Sequence, residues 1–228
     1  MNNPWSELPR SAPFVLPSDA DVVDQHRLHF RESPNLQLQT QLIPEPFNGS
    51  PTAAVCVLAL NPGFSENDTH WHDNPELRNA LIANLTHDNS DHPFVYLNPK
   101  FCDSPGSKWW ASKLKHLVAH FGAQSLSNLL LNVELFPYHS KKFRRLPASI
   151  SSNRLVPSSE YSAHLVRGFI SSEKPIVILR SRRQWFHLVP ELQVYGKLWM
   201  VRNPQNPALS PNNLDNYDQL VASLENAK

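Results

Sequence analysis

Two cysteines in 228 residues, Cys56 and Cys102, are too few for a disulfide framework. Cys56 also falls inside an apolar run, so both are expected to be reduced thiols and not a bridge or metal ligands. No apolar run reaches the length needed to cross a bilayer, and MNNPWSELPR at the start has neither the basic nor the apolar region of a leader peptide. No membrane partner follows, and a cytoplasmic location is expected. No internal repeat is visible. Net charge is also scarce, with 21 basic against 20 acidic residues. What remains is an ordinary globular composition, 40% apolar with a mean hydropathy of -0.42. That length and composition fit one α/β domain with a sizeable core, expected as a monomer.

The near-zero charge conceals an asymmetry. Through Tyr138 there are 8 basic and 14 acidic residues, whereas His139 to His187 holds 10 against 2 and the remainder 3 against 4. A basic block of this kind is the expected footprint of a phosphate-binding surface, although a solvated helix face has the same composition. Prolines are concentrated at the start, at positions 4, 9, 13, 17, 34, 44 and 46. They preclude long helices or central strands, so residues 1–49 read as an arm wrapped on a domain of residues 50–228. Within the arm, Asp19 to Glu32 can form a helix with Ser18 as its cap.

The domain is organised around AAVCVLALNPG, Ala53 to Gly63. Val55 to Leu60 is a continuous apolar run stopped by Asn61-Pro62-Gly63, the pattern of a strand buried on both faces. Leu129 to Phe136, Pro175 to Leu179 and Leu198 to Val201 read as further strands. Helices are expected at Pro75 to Leu85 capped by Asn74, Lys108 to Phe121 capped by Ser107, Ser158 to Ile170, Arg182 to Leu188 and Leu214 to Leu224. Polar loops are expected at 61–73, 89–106 and 140–157. The alternation argues for a short parallel central sheet flanked by helices, with strand order unreadable.

Open α/β sheets place chemistry just beyond the carboxyl ends of such strands, where a substrate would meet Asn61. Pro62 biases Asn61 toward extended backbone, and Gly63 permits close approach or positive φ. A simple tight turn is the competing reading. The polar stretch Glu66 to Asp73 offers carboxylate and imidazole groups, with Asp68 a candidate for activating water. His70, His72 and Asp73 form a weak metal motif without a rigid scaffold. No metal or other cofactor is expected.

Three motifs, ALNPGFS, LLLNVELFP and WMVRNPQNPALS, each at the end of an apolar run, together resemble the uracil-DNA glycosylase superfamily across roughly Val55 to Leu224. The likeness is nearest to the mismatch-specific uracil/thymine branch and the related single-strand-selective branch. It implies a uracil-DNA glycosylase-like fold and hydrolysis of the N-glycosidic bond of a base flipped from DNA. Asn61 would be catalytic, standing where the most active members carry Asp in GQDPYH. An amide can orient water and align charge without acting as a strong base, which predicts a slower enzyme. Gly63 replaces a bulky Tyr and predicts a pocket open to bases larger than uracil.

Phe64 and Phe94 are rival candidates for stacking on the flipped base, with core packing the alternative for either. Asn132 would read the base edge, uracil-like or, with its amide reversed, cytosine-like; a buried amide bonded to neighbouring backbone is the alternative. Glu134 shares its strand face and can accept from an exocyclic amine or be a solvated or paired carboxylate. Lys141, Lys142, Arg144 and Arg145 follow one site strand, and Arg180, Arg182 and Arg183 follow another, as candidate phosphate contacts. Asn203 matches the loop that pinches the duplex and Gln205 stands in place of its usual Ser, with Asn206 opening an inserted or alternative copy and Leu209 a wedge or a helix-entry staple.

The sequence thus points to a monofunctional DNA glycosylase, since no catalytic lysine stands beside the strand ends. Uracil, mismatched thymine and a modified cytosine of phage DNA remain open as substrates, as do repair and antiviral defence as roles. A DNA-binding protein with weak or lost catalysis and a nucleoside or nucleotide hydrolase are the alternatives.

Overall fold

The computed structural model describes residues 1–88, 91–150 and 155–228. Parts of the expected loops 89–106 and 140–157 therefore lie outside the described residues. Five strands form one sheet: β1 (Phe47–Gly49), β2 (Val55–Ala59), β3 (Leu130–Glu134), β4 (Ile176–Ile178) and β5 (Leu198–Met200), in the order β1-β3-β2-β4-β5. β2 pairs in parallel with β3 and β4, and β4 with β5, as the alternation of strand and helix leads one to expect. The exception is β1, which runs antiparallel to β3 and comes from the proline-rich arm. The sheet is therefore mixed, and the arm supplies its edge. Its three residues are too short and too close to Pro44 and Pro46 to leave a strand signal. Gly49 is required there: its φ is +123°, and a Cβ would lie 2.2 Å from the Leu130 carbonyl oxygen.

All residues of β2, β3 and β4 are buried. Because adjacent residues of a strand point to opposite faces, this pattern means both faces are covered. Helix α6 (Ser159–Ser171) packs on β2 and β3, and α8 (Tyr217–Glu225) on β2. The remaining helices are α1 (Ala20–His29), α2 (Glu66–Asp73), α3 (Pro75–Leu85), α4 (Pro105–Phe121), α5 (Ala123–Leu129) and α7 (Arg182–Leu188).

The arm is pinned at several points. Trp5, Phe14, Leu16, Val23, Leu38 and Ile43 are buried in the common core. Tyr138 Oη donates to Asp19 at 2.8 Å and accepts from the Leu16 N–H at 3.2 Å, while Ser158 Oγ donates to Asp19 at 2.6 Å.

Local expectations change in several places, and α8 begins at Tyr217 and not at Leu214. The 61–73 stretch is not all loop: Ser65 and Asp68 form a reciprocal capping box that starts α2. Helix α4 begins at Pro105, with the Ser104 side chain accepting from Ser107 N–H. Ser18 does not cap α1, whose N-cap is Asp19.

Candidate functional site

The chain leaves β2 toward β3 on one side, then crosses through α6 to β4 on the other. This reversal of direction opens a crevice beyond the carboxyl ends of the parallel strands. A cavity of about 340 Å³ occupies it, lined by residues following β2 (Leu60 to Ser65), by Asn132 and Glu134 of β3, and by Leu179 and Arg180 after β4. That volume lies at the small end of ligand pockets.

Asn61 is half-buried on the cavity wall. Its Nδ2 donates to the Pro62 carbonyl at 2.8 Å, to Ser140 Oγ at 3.1 Å and toward the Tyr138 carbonyl at 3.5 Å. Two of these partners are carbonyls, which can only accept, so the amide nitrogen must face them. The Oδ1 atom has no hydrogen-bond partner among the described residues and can accept from water or ligand. Gly63 needs no left-handed backbone, and a Cβ there would meet nothing within 4 Å. The glycine keeps this wall low without being required by the turn.

Behind the loop lies a charged cluster that the sequence did not announce. His139 Nδ1 is 2.7 Å from the Gly63 carbonyl, and its Nε2 is 3.0 Å from the Ile43 carbonyl and 3.2 Å from Glu45 Oε1. Both ring nitrogens face oxygens that only accept, so both must carry protons and the ring is an imidazolium. Burial opposes that charge, but the contact with Glu45, its negative charge and the Gly63 carbonyl outweigh it and raise the His139 pKa above its ordinary value. Burial likewise pushes against ionisation of Glu45. The charge and hydrogen bond of His139 chiefly overcome it and lower the carboxyl to about 2.

Tyr96 Oη also donates to Glu45 Oε1, at 2.5 Å. The other Glu45 oxygen receives no hydrogen bond from the described residues, and Glu45 lines the cavity. A fixed anion therefore faces the pocket in a chain whose central strand ends in a neutral amide. His72 accepts from the Ile43 N–H through Nδ1, which makes it the neutral tautomer; its Nε2 lies 3.6 Å from Glu45, too far for a hydrogen bond.

Glu45, His72 and His139 bring one ligand-type atom each within 4.8 Å of one another, the one such group among the described residues. His139 has no lone pair to offer while it donates from both nitrogens, so the set is built as an ion pair. Of the weak motif read from sequence, His70 and Asp73 are exposed and lie outside this group.

Asn132 and Glu134 are both buried and both line the cavity. Asn132 Nδ2 donates to Glu134 Oε1 at 2.9 Å, whereas Asn132 Oδ1 and Glu134 Oε2 have no partner among the described residues. Burial raises the Glu134 carboxyl to about 8, with the Glu45 charge adding to the effect and the Asn132 hydrogen bond opposing it. Glu134 is thus predominantly neutral at pH 7 and offers a proton; it is not solvated.

The aromatic candidates divide. Phe64 is half-buried and lines the cavity with Lys141 Nζ 6.0 Å from its ring centre. Phe94 is 0% exposed, packs edge-on against Trp110 and is absent from the lining, so it is a core residue and not a stacking face. Trp109 and Trp110 line the cavity in its place. Adjacent tryptophans just after a helix start were the available signal. Gly106 lets the Tyr96 ring pack against the start of α4, since a Cβ there would lie 2.4 Å from that ring.

Asp68 also reaches the cavity, but its carboxylate accepts from Ser65 N–H at 2.6 Å and Ser65 Oγ at 2.9 Å and so serves first as the cap of α2.

Of the basic candidates, Lys141 and Arg180 reach the cavity. Lys141 pairs with Glu66 at 3.5 Å, and Arg180 donates to the Pro204 and Gln205 carbonyls. Arg144 and Arg145 line a neighbouring depression with Leu60 and Gln184. Lys142, Arg182 and Arg183 are exposed. Asn203, Gln205 and Asn206 are exposed on a loop that Asn203 Oδ1 closes by accepting from the N–H groups of Gln205 and Asn206. Leu209 is 0% exposed and its N–H donates to the Lys113 carbonyl, which rules it out as a wedge in this conformation. Comparison with protein-family models, curated proteins and solved structures finds no match.

Proposed function

We propose that the chain is a monofunctional DNA glycosylase of uracil-DNA glycosylase-like architecture that hydrolyses the N-glycosidic bond of a flipped pyrimidine and leaves an abasic site. The observation that carries the reading is Asn61: at the end of the central strand its amide nitrogen is fixed by three contacts and its oxygen is free toward a cavity of about 340 Å³. A carbonyl oxygen held this way can align an attacking water without being ionised. Phe64 and Trp109 offer faces to replace the stacking that a flipped base loses, and Asn132 with Glu134 offers polar atoms for its edge. The Glu45 anion complements positive charge developing on the sugar.

Hydrolysis without a lyase step fits the lining. Its one lysine, Lys141, is exposed and paired with Glu66, not desolvated as a Schiff-base amine would be. DNA as partner, a monomeric state and a cytoplasmic setting belong to the same reading, and the openness at Gly63 leaves room for modified cytosines as well as uracil. A nucleoside hydrolase is the second reading, favoured by the engagement of Lys141 and Arg180 within the protein.

The deciding experiment measures abasic sites and free base from single- and double-stranded oligonucleotides carrying uracil, mismatched thymine or 5-hydroxymethylcytosine, alongside the free nucleosides. Abasic DNA is the expected product; cleavage of nucleosides alone would replace the reading with the second one.

A further inference from the structure

Two carboxyl groups share this cavity, and the protein treats them oppositely. Glu45 receives a hydroxyl proton from Tyr96 and lies 3.2 Å from the doubly donating His139. Among the described residues Glu134 receives only the Asn132 amide, on Oε1, while Oε2 is buried at the cavity wall without a hydrogen-bond partner. When environments drive two carboxyls apart in this manner, the favoured anion and the favoured acid are set by the structure. The other charged and titratable groups lining the cavity with Glu134 are His139 and Lys141 after β3, Arg180 after β4, Tyr96 in the turn 95–97 and Asp68 of α2.

From this geometry we infer that Glu134 is the proton donor to the departing base, and that this extends the proposed glycosylase reaction to aminopyrimidines, cytosine and its 5-substituted derivatives. The inference rests on the glycosylase reading. A uracil anion spreads its charge over two carbonyls and can leave without a proton. A cytosine anion has one carbonyl and an electron-donating amine, so its departure requires protonation.

Asn132 Oδ1 is placed to accept from the exocyclic amine while Glu134 Oε2 donates to N3. As the C1′–N1 bond breaks, its electron pair passes to the base and the Glu134 proton moves to N3, so the base leaves neutral. Water then adds to C1′, and the proton it releases returns through solvent to Glu134. The carboxyl sits at about 8 in the free protein, so the acid form predominates at neutral pH.

The test is single-turnover release of uracil, 5-fluorouracil and 5-hydroxymethylcytosine from oligonucleotides by the wild type and E134Q, across roughly pH 6 to 9. The expected wild-type rate on hydroxymethylcytosine falls as pH rises through about 8. E134Q should lose on the order of 10²-fold or more on that substrate, less than about tenfold on the two uracils, and the alkaline fall itself.

A pH-independent wild-type rate on hydroxymethylcytosine overturns the proposal, and this measurement stands even if E134Q fails to fold. So does equal loss of all substrates by a folded E134Q, or undiminished hydroxymethylcytosine release by it. Cleavage of uracil without any aminopyrimidine overturns the proposal and leaves the glycosylase reading intact. Absence of abasic sites from every oligonucleotide removes that reading, and the proposal with it.

Discussion

Glu45→Gln tests the charged cluster behind the active loop. The substitution keeps the side chain's size and its contact with Tyr96 but removes the partner of the His139 imidazolium. Glu45 is held at about 2 against an ordinary 4.5, and at about 1.4 kcal/mol per tenfold that difference corresponds to about 3 kcal/mol of folding stability. Removing one member of a buried pair costs a similar amount. For a protein of this size the expected fall in Tm is about 6 to 12 °C.

The sign follows from the two titrations. Glu45 has a depressed folded pKa, so its contribution is complete above the ordinary carboxyl value and is lost as pH falls toward about 2. His139 has a raised folded pKa, so its contribution is complete below 6.5 and is lost as pH rises through the folded value. The gap between wild type and E45Q in urea denaturation should therefore be widest between about pH 4.5 and 6.5 and should close as the solution is acidified. Equal stability near pH 5.5, or a gap that stays constant on acidification, would refute the ion pair as its source.

Asn61→Ala should lower single-turnover cleavage by roughly 10²- to 10³-fold with DNA affinity unchanged; near-wild-type cleavage would move water alignment to Glu45. Asp68→Ala should cost about 1 kcal/mol in denaturation through loss of the α2 cap, whereas Asp68→Asn should keep cleavage, and a collapse of activity in a stable Asp68→Asn would restore Asp68 as a base. Replacing Lys141, Lys142, Arg144 and Arg145 together by Ala should weaken binding across DNA sequences and flatten the salt dependence of log affinity by up to roughly 3 to 4. An unchanged slope would take that segment off the DNA-facing surface.

The parts of the fold that were legible are those in which the local sequence suffices. Val55 to Leu60 is apolar without interruption because both faces of β2 are covered, and Asn74-Pro75 carries its own helix start. Helix α2 was missed because its residues are almost all polar; the signal was the pair Ser65 and Asp68, three apart, and not periodicity. Asn61, Asn132, Glu134, Phe64, Lys141 and Arg180 do meet at one cavity, because a parallel sheet gathers residues that follow its strands to one edge. Phe94 and Leu209 failed for a common reason: a loop position in sequence does not reveal whether the side chain turns inward.

Glu45 could not be found that way. Nothing in the IPEPFNG segment marks a carboxylate among prolines as part of a site, and its placement comes entirely from pairing. Glu45 N–H donates to the Pro137 carbonyl and Glu134 N–H to the Pro46 carbonyl, so the arm is registered against the strand that carries Asn132 and Glu134. The same pairing sets Glu45 against His139, which in turn holds the Gly63 carbonyl of the Asn61 loop. Two walls of the cavity are thereby tied to one strand edge contributed by the arm. A change that loosens β1 would release the pocket's anion and the loop carbonyl together, so the arm belongs to the site's electrostatics as much as to the sheet.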